Sequence, residues 1–225
     1  MCHPRAFEVA YRAQVCDPEQ AAEFRQFLSH CHKGMLLFDI GASYGIFSLV
    51  AADVGGKAIA VEPSLIAVKM LSTQMRLNGL GDSIEVIAAA AGEREGSIRM
   101  LSSGVFSNGY FRFEKGRNKI ETSSVNVITV DMLDAQFGTP SHLKIDVEGY
   151  EGAVLRGARK LLNESSPLIF LELHNEMVAA TGGDPSFCLD ELHRLGYSIF
   201  AIHGGPISKR EALSVPISRV FASRE

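Results

Sequence analysis

The sequence has few cysteines, no long apolar run and no strong excess of charge. Its four cysteines, Cys2, Cys16, Cys31 and Cys188, form no C-x-x-C pair and have no matched histidine spacing. Neither a disulfide framework nor a zinc module is therefore expected. No apolar stretch reaches the roughly 18 residues of a membrane span, and the first residues lack the basic-then-apolar layout of a signal peptide. We expect a cytoplasmic protein without a membrane span.

The charge and composition exclude further classes of protein. There are 22 basic and 26 acidic residues, so the net charge of -4 offers no overall field that would attract nucleic acid. The apolar share of 46% and the charged share of 21% are those of an ordinary folded domain rather than a disordered chain. At 225 residues, a single domain over 1–225 is expected, with 1–34 as a helical N-terminal extension and 92–130 as an insertion that is a candidate lid.

From residue 35 the chain alternates short apolar runs with segments of helical spacing. Asp17 and Pro18 predict a helix start, and Gly34 predicts its end, so residues 17–34 are expected to form the first helix. Strands are expected at 35–40, 58–61, 83–88, 143–145 and 168–173, and helices from 45 to about 54 and at 64–78, 152–162 and 185–195. The runs 197–202 and 217–222 resemble a terminal strand pair. The alternation predicts an α/β sandwich with parallel strands.

The segment LLFDIGASYG predicts a strand, a tight turn and a helix start. Gly41 and Gly45 stand where the backbone must bend sharply or approach a ligand closely. In open α/β sheets, ligands bind beyond the carboxyl ends of strands, often at the first such turn. A dinucleotide fingerprint would need glycine at position 43, where Ser43 stands, so NAD is not expected.

The same turn matches the G-x-S-x-G nucleophile elbow of serine hydrolases. Ser43 would be the nucleophile, with Asp146 or Glu172 as the acid and His193 or His203 as the base. However, an elbow normally follows several strands, and only about 34 residues of mostly helical pattern precede this one. The hydrolase stays as the alternative.

Carboxylates end the first two predicted strands and favour a nucleoside ligand. Asp39 precedes the turn, and Glu62 follows about 20 residues later in VEPS. A carboxylate at that point can accept both hydroxyl hydrogens of a ribose. The turn has no lysine, and the chain has no G-x-x-x-x-G-K-[ST] motif, so phosphates are not required of the ligand.

Three motifs give the chain a resemblance to a known family. D-x-G-x-x-x-G at Asp39 to Gly45, VEP from Val61, and KIDVEGYE from Lys144 resemble S-adenosylmethionine-dependent methyltransferases of the FkbM type. The resemblance covers about residues 35–173. Two positions depart from the family pattern: Ser43 replaces the usual Asn of the turn, and Leu65 stands where a proline usually follows VEP.

The resemblance implies a fold, a cofactor and a reaction. The fold would be a Rossmann-like, three-layer α/β/α sandwich with a mostly parallel seven-stranded sheet and an antiparallel last strand. The cofactor would be S-adenosylmethionine, and the reaction would be O-methylation. The expected cofactor-binding residues are Asp39 with Gly41, Ala42, Ser43 and Gly45 for the methionine end, Glu62 for the ribose, and Ala89 and Ala90 beside the adenine.

Four further side chains at strand ends are expected to form the acceptor site. Asp146 and Glu148 follow one strand at alternate positions, and Glu172 and His174 do the same on the next. An alcohol is a poor nucleophile at neutral pH, so a base such as Asp146 or His174 would help it react. Alternatively, Asp146, Glu172 and His174 would be metal ligands for Mg²⁺ or Mn²⁺.

The predicted insertion contains a cluster of aromatic residues. Tyr110, Phe111 and Phe113 lie within FSNGYFRF at 106–113, a candidate lid over a sugar or another ring-bearing acceptor. The expected function is therefore methylation of a hydroxyl on a small molecule, sugar or glycan. A nucleoside-binding module without turnover is a further alternative.

Overall fold

A computed structural model of the chain describes residues 17–101, 122–180 and 182–224. The strands are β1 (Leu36–Ile40), β2 (Lys57–Val61), β3 (Ile84–Ile87), β4 (Ala90–Ala91), β5 (Gly96–Leu101), β6 (Thr122–Ile128), β7 (His142–Ile145), β8 (Leu168–His174), β9 (Ser198–Ala201) and β10 (Ile217–Ser223). The helices are α1 (Pro18–His30), α2 (Ile46–Asp53), α3 (Leu65–Asn78), α4 (Val130–Phe137), α5 (Glu151–Arg156), α6 (Arg159–Glu164), α7 (Asn175–Ala180), α8 (Ser186–Arg194) and α9 (Lys209–Ala212).

The main sheet has seven strands in the order β3-β2-β1-β7-β8-β10-β9. The five strands from β3 to β8 pair in parallel, whereas β10 is antiparallel to both β8 and β9. Because these strands run in the same direction, the carboxyl ends of β1, β2, β7 and β8 lie at one edge of the sheet. The expected Rossmann-like sheet with an antiparallel last strand is confirmed.

Alternate residues of the central strands face two hydrophobic cores. On β1, Phe38 and Ile40 pack with residues of α4, α5, α6 and α8, whereas Leu37 packs with residues of α1, α2 and α3. Helices therefore cover both faces of the sheet. Among the described helices, none is long and apolar enough to cross a membrane.

Two strands of the segment expected to be an insertion, β5 and β6, form a second, small sheet with β4. Its order is β4-β6-β5, with β5 antiparallel to β6 and β4 parallel to β6. The chain enters this sheet shortly after the end of β3. The aromatic lid predicted at 106–113 lies outside the described residues.

Two predicted helices have different limits in the structure. The first ends at His30 rather than Gly34, because Cys31 already adopts an extended backbone. The helix predicted at 152–162 is divided into α5 and α6 around Gly157. A Cβ at Gly157 would lie 2.0 Å from the carbonyl oxygen of Gly92, so the chain contacts the residue that follows β4 there.

Three short helices, α4, α7 and α9, were not predicted. Helix α4 begins where the Thr129 hydroxyl accepts a hydrogen bond from the backbone N–H of Met132, and a Thr N-cap was the available signal. The capping box of Ser208 and Glu211 marks α9 in the same way.

We expect Asp131→Ala to destabilise the fold through the start of α6. The Asp131 carboxylate accepts hydrogen bonds from the backbone N–H groups of Lys160 (3.0 Å) and Leu161 (2.9 Å), and Ala158 at the N-cap provides none. Loss of such a cap costs about 1 kcal/mol. Urea unfolding measures the change, with Gln136→Ala on the exposed face of α4 as the control. Equal stability of the two variants would contradict the assigned role.

A buried histidine at the opposite edge of the sheet predicts a loss of stability in acid. Burial, together with the nearby His32 and His30, lowers the pKa of His142 to about 4. In the unfolded chain, His142 has its ordinary pKa of about 6.5 and is protonated below that pH, whereas in the folded chain it stays neutral until about pH 4. The free energy of unfolding therefore falls as the pH drops from about 6.5 towards 4.

The His142→Gln variant should lose less stability than the wild type over that pH range. Thermal melts of both proteins at a series of pH values measure the difference, and the comparison cancels the effect of other titrating groups. His193→Gln, on the exposed end of α8, should behave as the wild type does. A parallel decline in wild type and His142→Gln would refute the prediction.

Candidate active site

The glycine turn packs directly against the end of β7. Gly41 and Gly45 have φ values of 82° and 78°, which favour glycine, and Ser43 between them has a φ of 49°. A Cβ at Gly41 would lie 1.8 Å from the backbone carbonyl oxygen of Asp146. The turn predicted to bind the cofactor and the strand end predicted to bind the acceptor are therefore in contact.

Glu62 is joined to the glycine turn by hydrogen bonds. Its Oε2 accepts from the backbone N–H of Ser43 (2.8 Å), and its Oε1 accepts from that of Ser64 (2.7 Å). Burial raises the pKa of Glu62, and these two hydrogen bonds oppose the rise. Each carboxylate oxygen can accept more than one hydrogen bond, so the group can still receive ribose hydroxyls.

Asp39 lies beneath the turn and supports the start of α2. It is 1% exposed, and its Oδ2 accepts from the Ser48 backbone N–H (3.1 Å) and hydroxyl (2.6 Å). Gly45 at the N-cap of α2 has no side chain to do this. Burial raises the pKa of Asp39 to about 6, against the lowering by these hydrogen bonds. Asp39, which was expected to hold the methionine end, thus supports the turn through the start of α2.

The alanines predicted beside the adenine have unequal exposure. Ala89 is buried in the core and Ala90 is half-buried in β4, whereas Ala88, just before them, is exposed. The Ala42 side chain is also buried, so the turn presents its backbone there. Of this alanine run, Ala88 offers the open surface beyond β3.

Three of the predicted acceptor residues lie together at the carboxyl ends of β7 and β8. Ligand atoms of Asp146, Glu172 and His174 all lie within 4.8 Å of one another. The His174 Nε2 is 3.9 Å from the Asp146 Oδ1 and 3.7 Å from the Glu172 Oε1. Asp146 is the accessible member, with 33% of its side chain exposed. The sequence prediction that these side chains converge agrees with this geometry.

The fourth predicted residue, Glu148, lies close to the same cluster. It has a positive φ of 50° and is half-buried. Burial raises the pKa of Glu148 to about 7, with His174 lowering it and Asp146 raising it further. A carboxyl group with such a pKa can exchange protons near neutral pH.

The buried lysine of KIDVEGYE is a site residue that the sequence analysis missed. The Lys144 Nζ is 3.0 Å from the Glu23 Oε1, 3.7 Å from the Asp146 Oδ2 and 3.9 Å from the Glu172 Oε2. Burial lowers the pKa of Lys144, but Glu23, Asp146 and Glu172 together raise it above its ordinary value. Lys144 is therefore charged and fixes three carboxylates, one of them from α1.

Arg219 on β10 is the second missed cation. It stands opposite Glu172 in the strand register, and its Nη2 is 2.7 Å from the Glu172 Oε1. Burial and Asp146 raise the pKa of Glu172 to about 7, while Lys144 and Arg219 lower it. An arginine in the mostly apolar strand run ISRVFA was the available signal.

A carboxylate from α5 completes the set around His174. The His174 Nδ1 lies 2.8 Å from the Glu151 Oε1. Burial lowers the pKa of His174, but the hydrogen bond to Glu151 and the nearby Asp146 raise it above its ordinary value. Asp146, Glu172 and His174 have the donor chemistry for a divalent cation, although Lys144 and Arg219 already offset part of their negative charge.

The geometry does not support the hydrolase alternative. No hydrogen bond joins the Ser43 hydroxyl to a histidine within residues 17–101, 122–180 and 182–224. His203 follows β9, four strands from β1 or roughly 19 Å, and its ring bonds to Glu19 instead. His193 is exposed at the end of α8. Neither histidine is placed to serve Ser43 as a base.

The sheet order, the glycine turn and the acidic strand ends together define a Rossmann-like methyltransferase. Residues 39–199 match the family described as Methyltransferase FkbM domain. The match covers well over half of the chain, so the chain belongs to the FkbM methyltransferase family. Membership implies S-adenosylmethionine as the methyl donor.

Solved structures share the fold at low sequence identity. The FkbM methyltransferase from Methylobacillus flagellatus KT has a TM-score of 0.56 at 19% identity, over 84% of this chain and 43% of that one. This chain thus spans less than half of that protein. A putative methyltransferase from Streptococcus mutans in complex with SAH has a TM-score of 0.53 at 10% identity, over 90% and 97% of the chains. No curated protein sequence matches this chain.

We expect Lys144→Met to destabilise the protein strongly. The substitution leaves the carboxylates of Glu23, Asp146 and Glu172 close together without their common cation. Removal of one partner from a buried ion pair costs about 3–5 kcal/mol. Chemical unfolding measures the loss, and Lys57→Met, at the exposed start of β2, is the control.

The loss should also depend on pH. Without Lys144 the carboxylates have raised pKa values in the folded state, so the folded chain binds more protons than the unfolded chain and becomes less stable as the pH rises. The deficit of Lys144→Met should therefore be larger at about pH 8 than at about pH 5. A deficit that does not change with pH would contradict the proposed charge balance.

Proposed function

We propose that the protein transfers a methyl group from S-adenosylmethionine to a hydroxyl of a small molecule, sugar or glycan. The observation that carries this proposal is the position of Asp146. Its backbone contacts the glycine turn at Gly41, and its carboxylate lies beside His174. A methyl donor on the turn and an acceptor over β8 would therefore meet at one residue.

The cofactor would occupy the first half of this edge, at the carboxyl ends of β1, β2 and β3. We assign the backbone of Gly41 to Gly45, with Ala42 and Ser43, to the methionine end, and Asp39 to the support of that turn. Glu62 would accept the ribose hydroxyls, and the surface at Ala88 to Ala90 would lie beside the adenine. The sulfonium of the bound cofactor supplies the reactive methyl group, so the protein has mainly to position it.

The second half of the edge, at the carboxyl ends of β7 and β8, carries groups suited to a hydroxyl acceptor. Transfer forms a bond from the acceptor oxygen to the methyl carbon and breaks the carbon–sulfur bond, and the hydroxyl proton must leave to a base. We assign Asp146, Glu148, Glu172 and His174 to orient and deprotonate the hydroxyl. Asp146, Glu172 and His174 would also suit Mg²⁺ or Mn²⁺, either of which would lower the pKa of a bound hydroxyl.

Calorimetric titration with S-adenosylhomocysteine tests the cofactor half. The wild type should bind this product, whereas NAD should not bind. Glu62→Ala should weaken binding roughly tenfold to a hundredfold, since a hydrogen bond to a charged group contributes about 1.5–3 kcal/mol. Glu85→Ala, an exposed carboxylate on the neighbouring β3, is the matched control. Binding that is unaffected by Glu62→Ala would refute the assignment.

The acceptor half is tested by separating binding from turnover. Asp146→Ala should keep its affinity for S-adenosylhomocysteine yet lose about a hundredfold or more in methylation rate across a panel of polyols, sugars and phenols. Equal loss of affinity in Glu62→Ala and Asp146→Ala would contradict the division of roles. Tight binding with no methylated product from any hydroxyl acceptor would favour the nucleoside-binding module.

A further inference from the structure

Glu151 is a buried carboxylate to which the proposed reaction assigns no direct part. It is the first residue of α5 and has no exposed surface. Its Oε2 has no hydrogen-bond partner among the described residues. Burial of a carboxylate is costly, and a second oxygen without a partner adds to that cost. Simple packing would be served better by an apolar side chain at this position.

The other oxygen of Glu151 has two partners. Its Oε1 accepts the backbone N–H of Gly149 at 2.9 Å and lies 2.8 Å from the His174 Nδ1. Gly149 has a φ of 99°, and a Cβ there would lie 3.0 Å from the Cβ of Met177. The loop after β7 therefore folds back in a conformation that suits glycine, and it fixes Glu151 beneath the imidazole.

The two nitrogens of the His174 ring have different surroundings. Nδ1 is within hydrogen-bond distance of a carboxylate that can only accept, so Nδ1 must carry the proton of the neutral ring. Nε2 lies 3.7 and 3.9 Å from the oxygens of Glu172 and Asp146, beyond hydrogen-bond distance. The lone pair of the neutral ring is then on the side of Asp146, the accessible carboxylate.

We propose that Glu151 is a positioning residue that holds His174 in the Nδ1–H tautomer and so presents Nε2 to the hydroxyl of the acceptor. This inference rests on the proposed function in its metal-free form: with no metal ion on Nε2, His174 is the group that takes the hydroxyl proton. The proton passes from the acceptor oxygen to Nε2 as that oxygen bonds to the methyl carbon. The Glu151 oxygen beside Nδ1 stabilises the imidazolium that forms.

The tautomer of His174 can be measured without knowledge of the acceptor. The protein is labelled with ¹⁵N-histidine and studied by NMR in the presence of EDTA, at a pH at which the ring is neutral. The His174 signals are identified by their loss in His174→Gln. In the wild type we expect the proton on Nδ1. Glu151→Gln, which keeps an acceptor oxygen, should retain this tautomer, whereas Glu151→Ala should shift the population towards Nε2–H.

Glu176→Ala is the matched control, since Glu176 is an exposed carboxylate at the start of α7. The proposal is overturned if the neutral His174 ring of the wild type carries its proton on Nε2. It is also overturned if a folded Glu151→Ala variant has the same tautomer as the wild type. The wild-type spectrum remains decisive if Glu151→Ala does not fold. Titration with S-adenosylhomocysteine reports separately on the proposed function, because the tautomer can be as expected in a protein that does not bind this product.

Discussion

The arrangement of the site depends on one buried cation. Lys144 points from β7 into a region that contains carboxylates from α1, from the end of β7 and from β8. Because each of these carboxylates would repel the others at such distances, the ammonium group is what allows them to remain together. Arg219 has the same effect on Glu172 from β10. Elements that are distant in sequence are therefore fixed around one sheet edge by opposite charge.

A second constraint links this cluster to the cofactor turn. Gly41 approaches the carbonyl oxygen of Asp146 so closely that no side chain fits between them. Glu62 in turn bonds to the backbone of Ser43. The turn, the end of β2 and the end of β7 are thus in direct contact. Methyl transfer needs donor and acceptor in line within a short distance, and this contact brings their two binding surfaces together.

The parallel sheet and the convergence of Asp146, Glu172 and His174 could be predicted from the sequence. The spacing of apolar residues and the place of a side chain at the end of a predicted strand are both local signals. It could not predict what depends on pairing between distant segments. Glu23 and Arg219 look like an ordinary helical acid and a strand arginine, and only the register of β10 places Arg219 opposite Glu172. Likewise, the break at Gly157 lies where the chain contacts Gly92, 65 residues earlier in the chain.

A crystal structure of the protein with S-adenosylhomocysteine tests the central claim most directly. The account predicts that the ribose hydroxyls bond to Glu62, that the methionine end lies on the backbone of the Gly41 to Gly45 turn, and that the sulfur lies on the side of Asp146 and His174. A ligand with its sulfur away from Asp146, or one bound outside this edge of the sheet, would contradict it.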